Sequence, residues 1–150
     1  MTTLTSTSTQ TVEENKALVR RVIEEIFGQG RIESVDELLS EDFTRHNAGP
    51  TPNGRQGMKD TIARVSKGLA DARMTIEDMI AEGDRVAVRL TSEARQVGEF
   101  MGLPPSGKTY RIGEIHIFRI EDGRVAEHWH EADFLGMMRQ LGAMPTPGSA

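Results

Sequence analysis

Apolar residues in the first part of the chain recur in pairs four positions apart, which is the spacing of one buried face of an α-helix. The residues of this stripe are Leu18, Val19, Val22, Ile23, Ile26 and Phe27. The spacing predicts a helix that begins at Thr11, where Thr11 and Glu14 can form a capping box, and that ends at one of the glycines after Phe27. Residues 32–39 and residues 56–69 repeat the helical spacing and predict two further helices.

After Ala70, apolar and polar residues alternate, which is the pattern of strands with one buried face. Two turn signals, Gly83-Asp84 and Asp122-Gly123, separate pairs of such segments. A last set of apolar residues has helical spacing again and consists of Phe134, Leu135, Met138 and Leu141. Because most helices precede the strands and do not alternate with them, the order predicts an α+β fold, with N-terminal helices packed on a curved antiparallel sheet. A ligand site is expected in the hollow between the two layers.

The 150 residues of the chain are enough for one domain, and no internal repeat divides them. We expect a single folded domain over residues 11–143, with tails at residues 1–10 and 144–150. Thr and Ser dominate the first tail, which lacks the basic start and the apolar stretch of a secretory signal. This composition favours a disordered N-terminal tail and a cytoplasmic protein.

The formal net charge of −5 and the absence of cysteine exclude several classes of function. An acidic chain is a poor partner for nucleic acid or for an anionic membrane surface, since both select clustered Lys and Arg. Without cysteine there are no disulfides, no thiolate metal sites and no cysteine nucleophile. The sequence also lacks a glycine-rich phosphate loop, a nucleophile elbow and a dinucleotide fingerprint, so we expect a small-molecule substrate and no cofactor.

The densest group of polar residues is the segment from Glu127 to Asp133, at the end of the last predicted strand. Strand alternation places Trp129 and Asp133 on one face, and the two histidines, His128 and His130, on the other. Asp133 has two interpretations: it caps the final helix, or it lies beside Trp129 in an apolar cavity. In such a cavity, desolvation would raise the pKa of its carboxyl group and make it a general acid or base.

His128 and His130 also resemble half of a zinc site, which would need a third ligand from His116 or His46. We expect no metal, because a His-x-His pair near a strand end is more often exposed or hydrogen-bonded. His116 is either a buried histidine paired with a neighbour, or a pocket residue that donates a hydrogen bond to a substrate oxygen.

Three more polar residues are candidates for the site. His46 and Asn47 lie between Phe43 and a proline-containing loop, where they either close the mouth of the pocket or cap the loop. Arg89 lies in a strand opposite apolar neighbours and belongs either to the pocket or to a subunit interface.

Several short segments of the second half of the chain follow one another in a specific order and spacing. They are Asp84-Arg85-Val86-Ala87-Val88-Arg89, Gly98-Glu99-Phe100-Met101-Gly102 with Pro105-Ser106-Gly107-Lys108, Asp122-Gly123-Arg124-Val125-Ala126-Glu127-His128-Trp129, and Asp133 with Gln140-Leu141-Gly142. In these segments the chain resembles the SnoaL-like polyketide (ester) cyclase family. The similarity extends from the first helix to Gly142.

The resemblance implies a cone-shaped α+β barrel, the nuclear-transport-factor-2-like fold that ketosteroid isomerase also uses, and homodimers or homotetramers packed through the outer sheet face. In the family, an aspartate at the position of Asp133 is the acid–base group of an intramolecular aldol ring closure that needs no metal. The carboxylate removes a proton next to a carbonyl, and hydrogen-bond donors hold the developing oxyanion. His116 is the first candidate for such a donor, and His46 or Asn47 is the second.

The sequence departs from the family at one position. Many members have a histidine shortly before the Gly-Glu-Phe segment, where this chain has Gln96. A neutral amide can orient a carbonyl but cannot carry a proton near neutral pH. We therefore expect Gln96, with Trp129 and Arg89, to contact the substrate, and Asp133 and His116 to act in catalysis.

These observations predict a cofactor-independent cyclase or isomerase that uses a pocket aspartate on a carbonyl-containing small molecule of the polyketide type. Two alternatives keep the same fold: a different reaction (hydroxylation, dehydration or epoxide hydrolysis), or ligand binding without catalysis. Convergence of Asp133, His116 and Trp129 on one enclosed space would favour the enzyme. If Asp133 only caps the last helix, the binding module gains support.

Overall fold

The computed structural model of the protein describes residues 4–46 and 53–144, with side chains from Thr11 onward. The helices are α1 (Leu4–Arg21), α2 (Glu33–Leu38), α3 (Arg55–Gly68) and α4 (Phe134–Gln140), and a π-helical segment (Val22–Gly28) continues α1. The strands are β1 (Leu39–Arg45), β2 (Leu69–Glu82), β3 (Arg85–Gln96), β4 (Thr109–Glu121) and β5 (Arg124–Ala132). No helix in the described ranges is long and apolar enough to cross a membrane.

The helices confirm the predicted apolar spacing. α3 and α4 lie where the pattern places them, and the stripe of α1 and its π-helical continuation is buried at Val19, Val22, Ile23 and Ile26. α1 begins at Leu4, earlier than predicted, and extends into the segment for which a tail is expected. The difference arises because apolar periodicity marks only the part of a helix that packs against a core.

The five strands form one sheet in the order β1-β5-β4-β3-β2. Strands β2 to β5 pair antiparallel, as predicted, but β1 pairs parallel with β5, so the sheet is mixed. The residues from Phe43 to His46 were predicted only to lead into a loop, and the prediction missed this strand. A parallel edge strand has no hairpin turn beside it, so the local sequence carries little sign of its partner.

Both predicted hairpin turns are present. Gly83-Asp84 joins β2 to β3, and Asp122-Gly123 joins β4 to β5 with φ of 51° and 75° at its two residues. Positive φ at both central residues is the geometry that Asp-Gly supplies in two-residue hairpins. A β-bulge between Arg119 and Ile120 then shifts the β4–β5 pairing by one residue. This bulge decides which residues of the two strands face each other further along the hairpin.

The helices cover one face of the sheet, and the main core lies between the two layers. The apolar residues of this core that lose nearly all their exposure include Val19, Ile23, Ile26, Leu38, Leu39, Val86, Val88, Leu90 and Phe118. A second core packs α4 against β3 and β4 through Tyr110, Ile112, Met137 and Leu141. The opposite face of the sheet carries exposed apolar side chains at Ile80, Ile115 and Ile117. The homo-oligomer expected through this outer face stays a prediction.

The end of α3 and the start of the β3–β4 connection touch backbone to backbone. The carbonyl oxygen of Gly68 accepts hydrogen bonds from the amides of Val97 and Gly98 at 2.8 and 3.1 Å. A Cβ on Gly98 would overlap the carbonyl oxygen of Lys67, and one on Gly68 would lie 2.6 Å from the carbonyl oxygen of Glu99. Glycine is required at both positions because the two backbones leave no space for a side chain.

Candidate active site

Three histidines and a phenylalanine stack on the covered face of β4 and β5. Pairing places His116 opposite His130 and Phe118 opposite His128, so the four rings form one column. Neighbouring ring centroids are 4.7 Å apart for Phe118 and His128, 5.1 Å for His128 and His116, and 4.5 Å for His116 and His130, with nearly parallel planes. We call these four residues the histidine stack.

A buried carboxylate joins the stack from the same strand. Glu114 precedes His116 by two residues and therefore points to the same face. Its Oε2 lies 2.9 Å from His116 Nε2, and the two side chains are only 10% and 4% exposed. His116 Nδ1 lies 2.9 Å from His128 Nε2, so both ring nitrogens of His116 have partners.

The hydrogen-bonding capacities of these side chains indicate which group donates in each of the two contacts of His116. An ionised carboxylate only accepts, so the Nε2–H of His116 donates to Glu114. With one proton on the ring of His116, its Nδ1 accepts from the Nε2–H of His128. The remaining nitrogen of His128, Nδ1, is buried and has no partner within the described residues. The missing partner is expected if Nδ1 of His128 carries no proton and ends this series of hydrogen bonds.

Burial keeps two members of the stack neutral. Desolvation, followed by the neighbouring His116, lowers the pKa of His128 well below its ordinary value. Desolvation also lowers the pKa of His130 to about 4, and the neighbouring His116 adds to this shift, since two adjacent imidazolium cations would repel each other. Both rings are therefore unprotonated at neutral pH and can act as hydrogen-bond acceptors or as ligands.

These pKa shifts predict that the protein loses stability when the pH falls below about 6.5. The unfolded chain then binds protons on histidines that the folded state keeps neutral, so unfolding becomes more favourable. With an unfolded pKa of about 6.5 and a folded value of about 4, His130 alone removes about 2 kcal/mol between pH 7.5 and pH 5. Urea unfolding of the wild type and of His130→Gln at these two pH values measures this difference. An equal loss in both proteins would contradict the prediction.

Solvent reaches the stack at its His130 end. The side chain of His130 is 26% exposed, and Phe134, at the start of α4, meets its ring edge-on with centroids 5.9 Å apart. Phe134 and Leu135 are themselves exposed. Phe27, from the π-helical segment, packs against His116 and His128 with centroids 5.5 Å away. Apolar rings therefore border the polar groups, as in sites that bind flat, partly aromatic ligands.

Arg45 is a functional candidate that the sequence did not reveal. Its Nη2 donates to Thr61 Oγ1 at 3.0 Å, while its Nε is buried without a partner in the described part of the chain. Desolvation lowers the pKa of Arg45, and its positive charge contributes to the lowered pKa of both His128 and His130. The alternation Phe43, Arg45 along β1 would have placed Arg45 on the core side, had this segment been recognised as a strand.

The predicted catalytic residues do not converge. Asp133 is exposed and caps α4, where its Oδ1 accepts a hydrogen bond from the Gly136 amide at 2.9 Å. Trp129 lies on the outer face of the sheet, stacked on His46 at 4.7 Å and covered by Arg85. The convergence of Asp133, His116 and Trp129 that would favour the enzyme is therefore absent, and of the two interpretations of Asp133 the structure has the helix cap. Of the three, only His116 belongs to the histidine stack.

The remaining candidates also lie outside the stack. His46 Nε2 is 3.0 Å from Glu127 Oε1, and the hydrogen bonds from Arg119 and from His46 lower the pKa of Glu127. Arg89 pairs with Asp78 at 2.6 Å on the outer face and not in a pocket. Asn47 lies outside the described residues.

Gln96 has a structural partner for every polar atom of its side chain. Its amide nitrogen is directed at the carbonyl oxygens of Gly98, Leu103 and Pro104, at 3.0 to 3.2 Å, and its Oε1 accepts from Ser106 at 2.6 Å. The residue is completely buried. Its position supports an organising role in the β3–β4 loop and leaves no free donor for a substrate carbonyl, contrary to the expectation from the sequence.

Two further features bear on what the site can hold. Glu114 Oε2, His116 Nε2 and His130 Nε2 lie within 4.8 Å of one another, so these residues are potential metal ligands. An open groove of about 500 Å³ lies elsewhere, between α1 and β2, with Lys16 and Met79 among its lining residues. The groove includes no residue of the stack, and we assign the chemistry to the histidine stack because the buried Glu114–His116 contact and the histidines with lowered pKa values are found there.

Comparison with known proteins gives a consistent result. The family model described as SnoaL-like polyketide cyclase matches residues 17–141. Among curated proteins, the aklanonic acid methyl ester cyclase DnrD of Streptomyces peucetius is 28% identical over 87% of this chain and 92% of its own length. The nogalonic acid methyl ester cyclase of Streptomyces nogalater is 30% identical over 77% of this chain and 89% of its own. The solved structure of TsrD from Streptomyces laurentii superposes with a TM-score of 0.81 at 35% identity, covering 88% of this chain and 97% of that one.

Proposed function

Because the chain belongs to the SnoaL-like polyketide cyclase family and is a cyclase-type enzyme, we propose that it closes a carbocyclic ring in a polyketide-derived ester by an intramolecular aldol reaction. The observation that carries the mechanism is the buried pair of Glu114 and His116. Glu114 is the proposed general base, and His116 is the residue that positions it. The relatives act, by their names, on methyl esters of aklanonic and nogalonic acid, so a ketone-containing methyl ester is the proposed substrate class.

Glu114 has the features that a general base requires. Its hydrogen bond from His116 uses Oε2, which leaves Oε1 for the substrate. Because His116 is itself held by His128, the carboxylate is fixed by two successive hydrogen bonds, and little reorganisation is needed during proton transfer. A buried carboxylate that is held in position in this way can remove a proton from a carbon next to a carbonyl group.

The proposed reaction conserves every atom of the substrate. Glu114 takes a proton from the carbon between the ester carbonyl and a neighbouring carbonyl, and the C–H electron pair passes into an enolate. The enolate carbon attacks a ketone carbon of the same molecule, one C–C bond forms, and the C=O π bond becomes an alkoxide. The protonated Glu114 returns its proton to that alkoxide, so the product is an isomer of the substrate.

Arg45 is the proposed partner of the developing negative charge. Its guanidinium group is half-buried and has no carboxylate partner among the described residues. Its positive charge reaches the histidine stack, because it contributes to the lowered pKa of His130. A preorganised donor in a desolvated site stabilises an enolate or alkoxide more than it stabilises the neutral ketone. The bound oxygen would also satisfy the buried Nε of Arg45.

Incubation of the protein with aklanonic acid methyl ester in D₂O tests the proposed function. The expected result is a product of unchanged atomic composition apart from deuterium exchanged at the attacking carbon, identified by mass spectrometry and NMR. A product that gains oxygen or loses water would overturn the proposal in favour of the hydroxylase or dehydratase alternative. Binding without turnover of this and of related ketone esters would support the binding module.

Asp133→Asn separates the two candidate carboxylates. Asparagine is as good an N-cap as aspartate, so α4 is expected to keep its start and the protein its stability. If Glu114 is the base, Asp133→Asn retains activity within about threefold of the wild type, because Asp133 is exposed and accepts a hydrogen bond from the Gly136 amide. A loss of about 100-fold or more with an unchanged melting temperature would restore the aspartate mechanism that the family resemblance implies.

A further inference from the structure

The potential ligand atoms of the histidine stack have a geometry close to that of a metal site. Glu114 Oε2 lies 2.9 Å from His116 Nε2 and 3.9 Å from His130 Nε2, and no pair of the three atoms is further apart than 4.8 Å. Zinc binds imidazole nitrogen and carboxylate oxygen at about 2.0 to 2.2 Å in tetrahedral geometry, so two ligand atoms on one ion are about 3.4 Å apart. The two separations that involve Glu114 lie within about 0.5 Å of this value.

The third donor, His130, has no other use for its nitrogen. Its Nε2 is buried and lacks a hydrogen-bond partner within the described residues, and the 3.9 Å to Glu114 is too long for a hydrogen bond. An unpaired buried nitrogen costs free energy that a bound ion would recover.

We propose that Glu114, His116 and His130 bind a divalent transition-metal ion of the Zn²⁺ type. Two imidazoles and one carboxylate form a known set for zinc, with the fourth position open to water or to a ligand oxygen. The inference goes beyond the proposed function, since it concerns a second state of the site, in which Glu114 binds a metal ion and is no longer available as the general base.

The hydrogen bond behind His116 suits this role. When Nε2 of His116 binds the ion, its proton moves to Nδ1 and donates to His128 Nε2, which is already 2.9 Å away. An outer hydrogen bond of this kind fixes the tautomer and the orientation of a metal-bound histidine. His128 then carries its own proton on Nδ1, a buried nitrogen without an acceptor among the described residues, so this tautomer costs part of the free energy that the ion supplies.

Metal binding needs a small movement at the other end. The separation of Glu114 Oε2 and His130 Nε2 must shorten from 3.9 Å to about 3.4 Å, and the two histidine nitrogens, which are no more than 4.8 Å apart, must reach the same separation. The ring of His130 can tilt toward Glu114, because it lies at the solvent-exposed end of the stack and is 26% exposed. The bound ion takes the carboxylate that the ring closure needs, so Zn²⁺ is an inhibitor of the proposed reaction.

Titration of the full-length protein tests the proposal without a substrate. Zn²⁺ is followed by calorimetry and Co²⁺ by its visible absorption, first with the wild type and then with His130→Gln and Glu114→Gln. We expect one ion per chain, and an affinity that falls about tenfold or more in each variant. Circular dichroism of each variant verifies the fold, and the two replacements at different strands provide independent tests.

His46→Gln is the matched control, because His46 and Glu127 form the other histidine–carboxylate contact of the sheet, at 3.0 Å on the opposite face. It is expected to bind the ions as the wild type does. The proposal fails if the wild type shows no saturable binding, if His130→Gln binds equally well, or if His46→Gln abolishes binding. Because absorption and heat report the ion directly, a failed cyclisation assay leaves this test intact.

Discussion

Glu114→Gln is expected to lower kcat for ring closure by roughly 100- to 10,000-fold, the range that a positioned general base contributes. The replacement keeps the size of the side chain and removes the charge that accepts the substrate proton. We expect KM to change much less than kcat, because the apolar rings around the stack, such as Phe27 and Phe134, remain in place. Steady-state kinetics with an ester substrate measures both constants.

Glu127→Gln is the matched control for this prediction. Like Glu114, Glu127 contacts a histidine, but its partners His46 and Arg119 lie on the outer face. Loss of its charge is expected to leave kcat within about threefold of the wild type. If Glu114→Gln retained activity while folded, Glu114 would not be the base, and Asp133 would become the leading candidate.

Gly98→Ala is expected to destabilise the protein by roughly 2–4 kcal/mol, one of the largest effects available from a single methyl group. The new Cβ would overlap the carbonyl oxygen of Lys67, and this oxygen belongs to backbone that cannot rotate away. The hydrogen bonds from Val97 and Gly98 to Gly68 would have to lengthen to accommodate the methyl group. Urea unfolding followed by circular dichroism gives the free energy directly.

Gly113→Ala, in strand β4, provides the comparison. Gly113 has open space around its Cα and a negative φ, so a methyl group there meets no atom within 4 Å. We expect a change of no more than about 0.5 kcal/mol. Equal destabilisation by the two substitutions would show that loss of glycine flexibility, and not the contact with Lys67, determines the effect at Gly98.

The fold could be predicted from the sequence to a large extent, because local patterns determine most of its elements. The apolar stripe from Leu18 to Phe27 predicts a helix and the Asp122-Gly123 pair predicts a hairpin turn, and the structure has both. β1 was missed since its pairing with β5 is parallel and joins segments far apart in sequence. Arg45 was missed for the same reason, as its place on the core side follows from that pairing.

The candidate site was harder to predict, because it depends on register. Counting back from the two-residue turn without a bulge would pair His116 with Trp129, and the two side chains would then share a face. The bulge after Arg119 pairs His116 with His130 instead, and Trp129 moves to the solvent face. Alternation alone did place Glu114 and His116 together, but it could not show that His130 and His128 complete the stack.

The contacts of Gln96 have a consequence for how this protein can diversify. Three of the four contacts are with main-chain carbonyl oxygens, and the fourth is with the side chain of Ser106. The side-chain amide of Gln96 therefore holds the loop mainly through its backbone, and these contacts depend little on the other side chains of the loop. Exposed positions such as Glu99 and Pro105 are therefore free to mutate while the loop keeps its path. Evolution, or a protein engineer, can vary the exposed positions of the loop, provided that Gln96, Ser106 and the glycines at 98, 102 and 107 are retained.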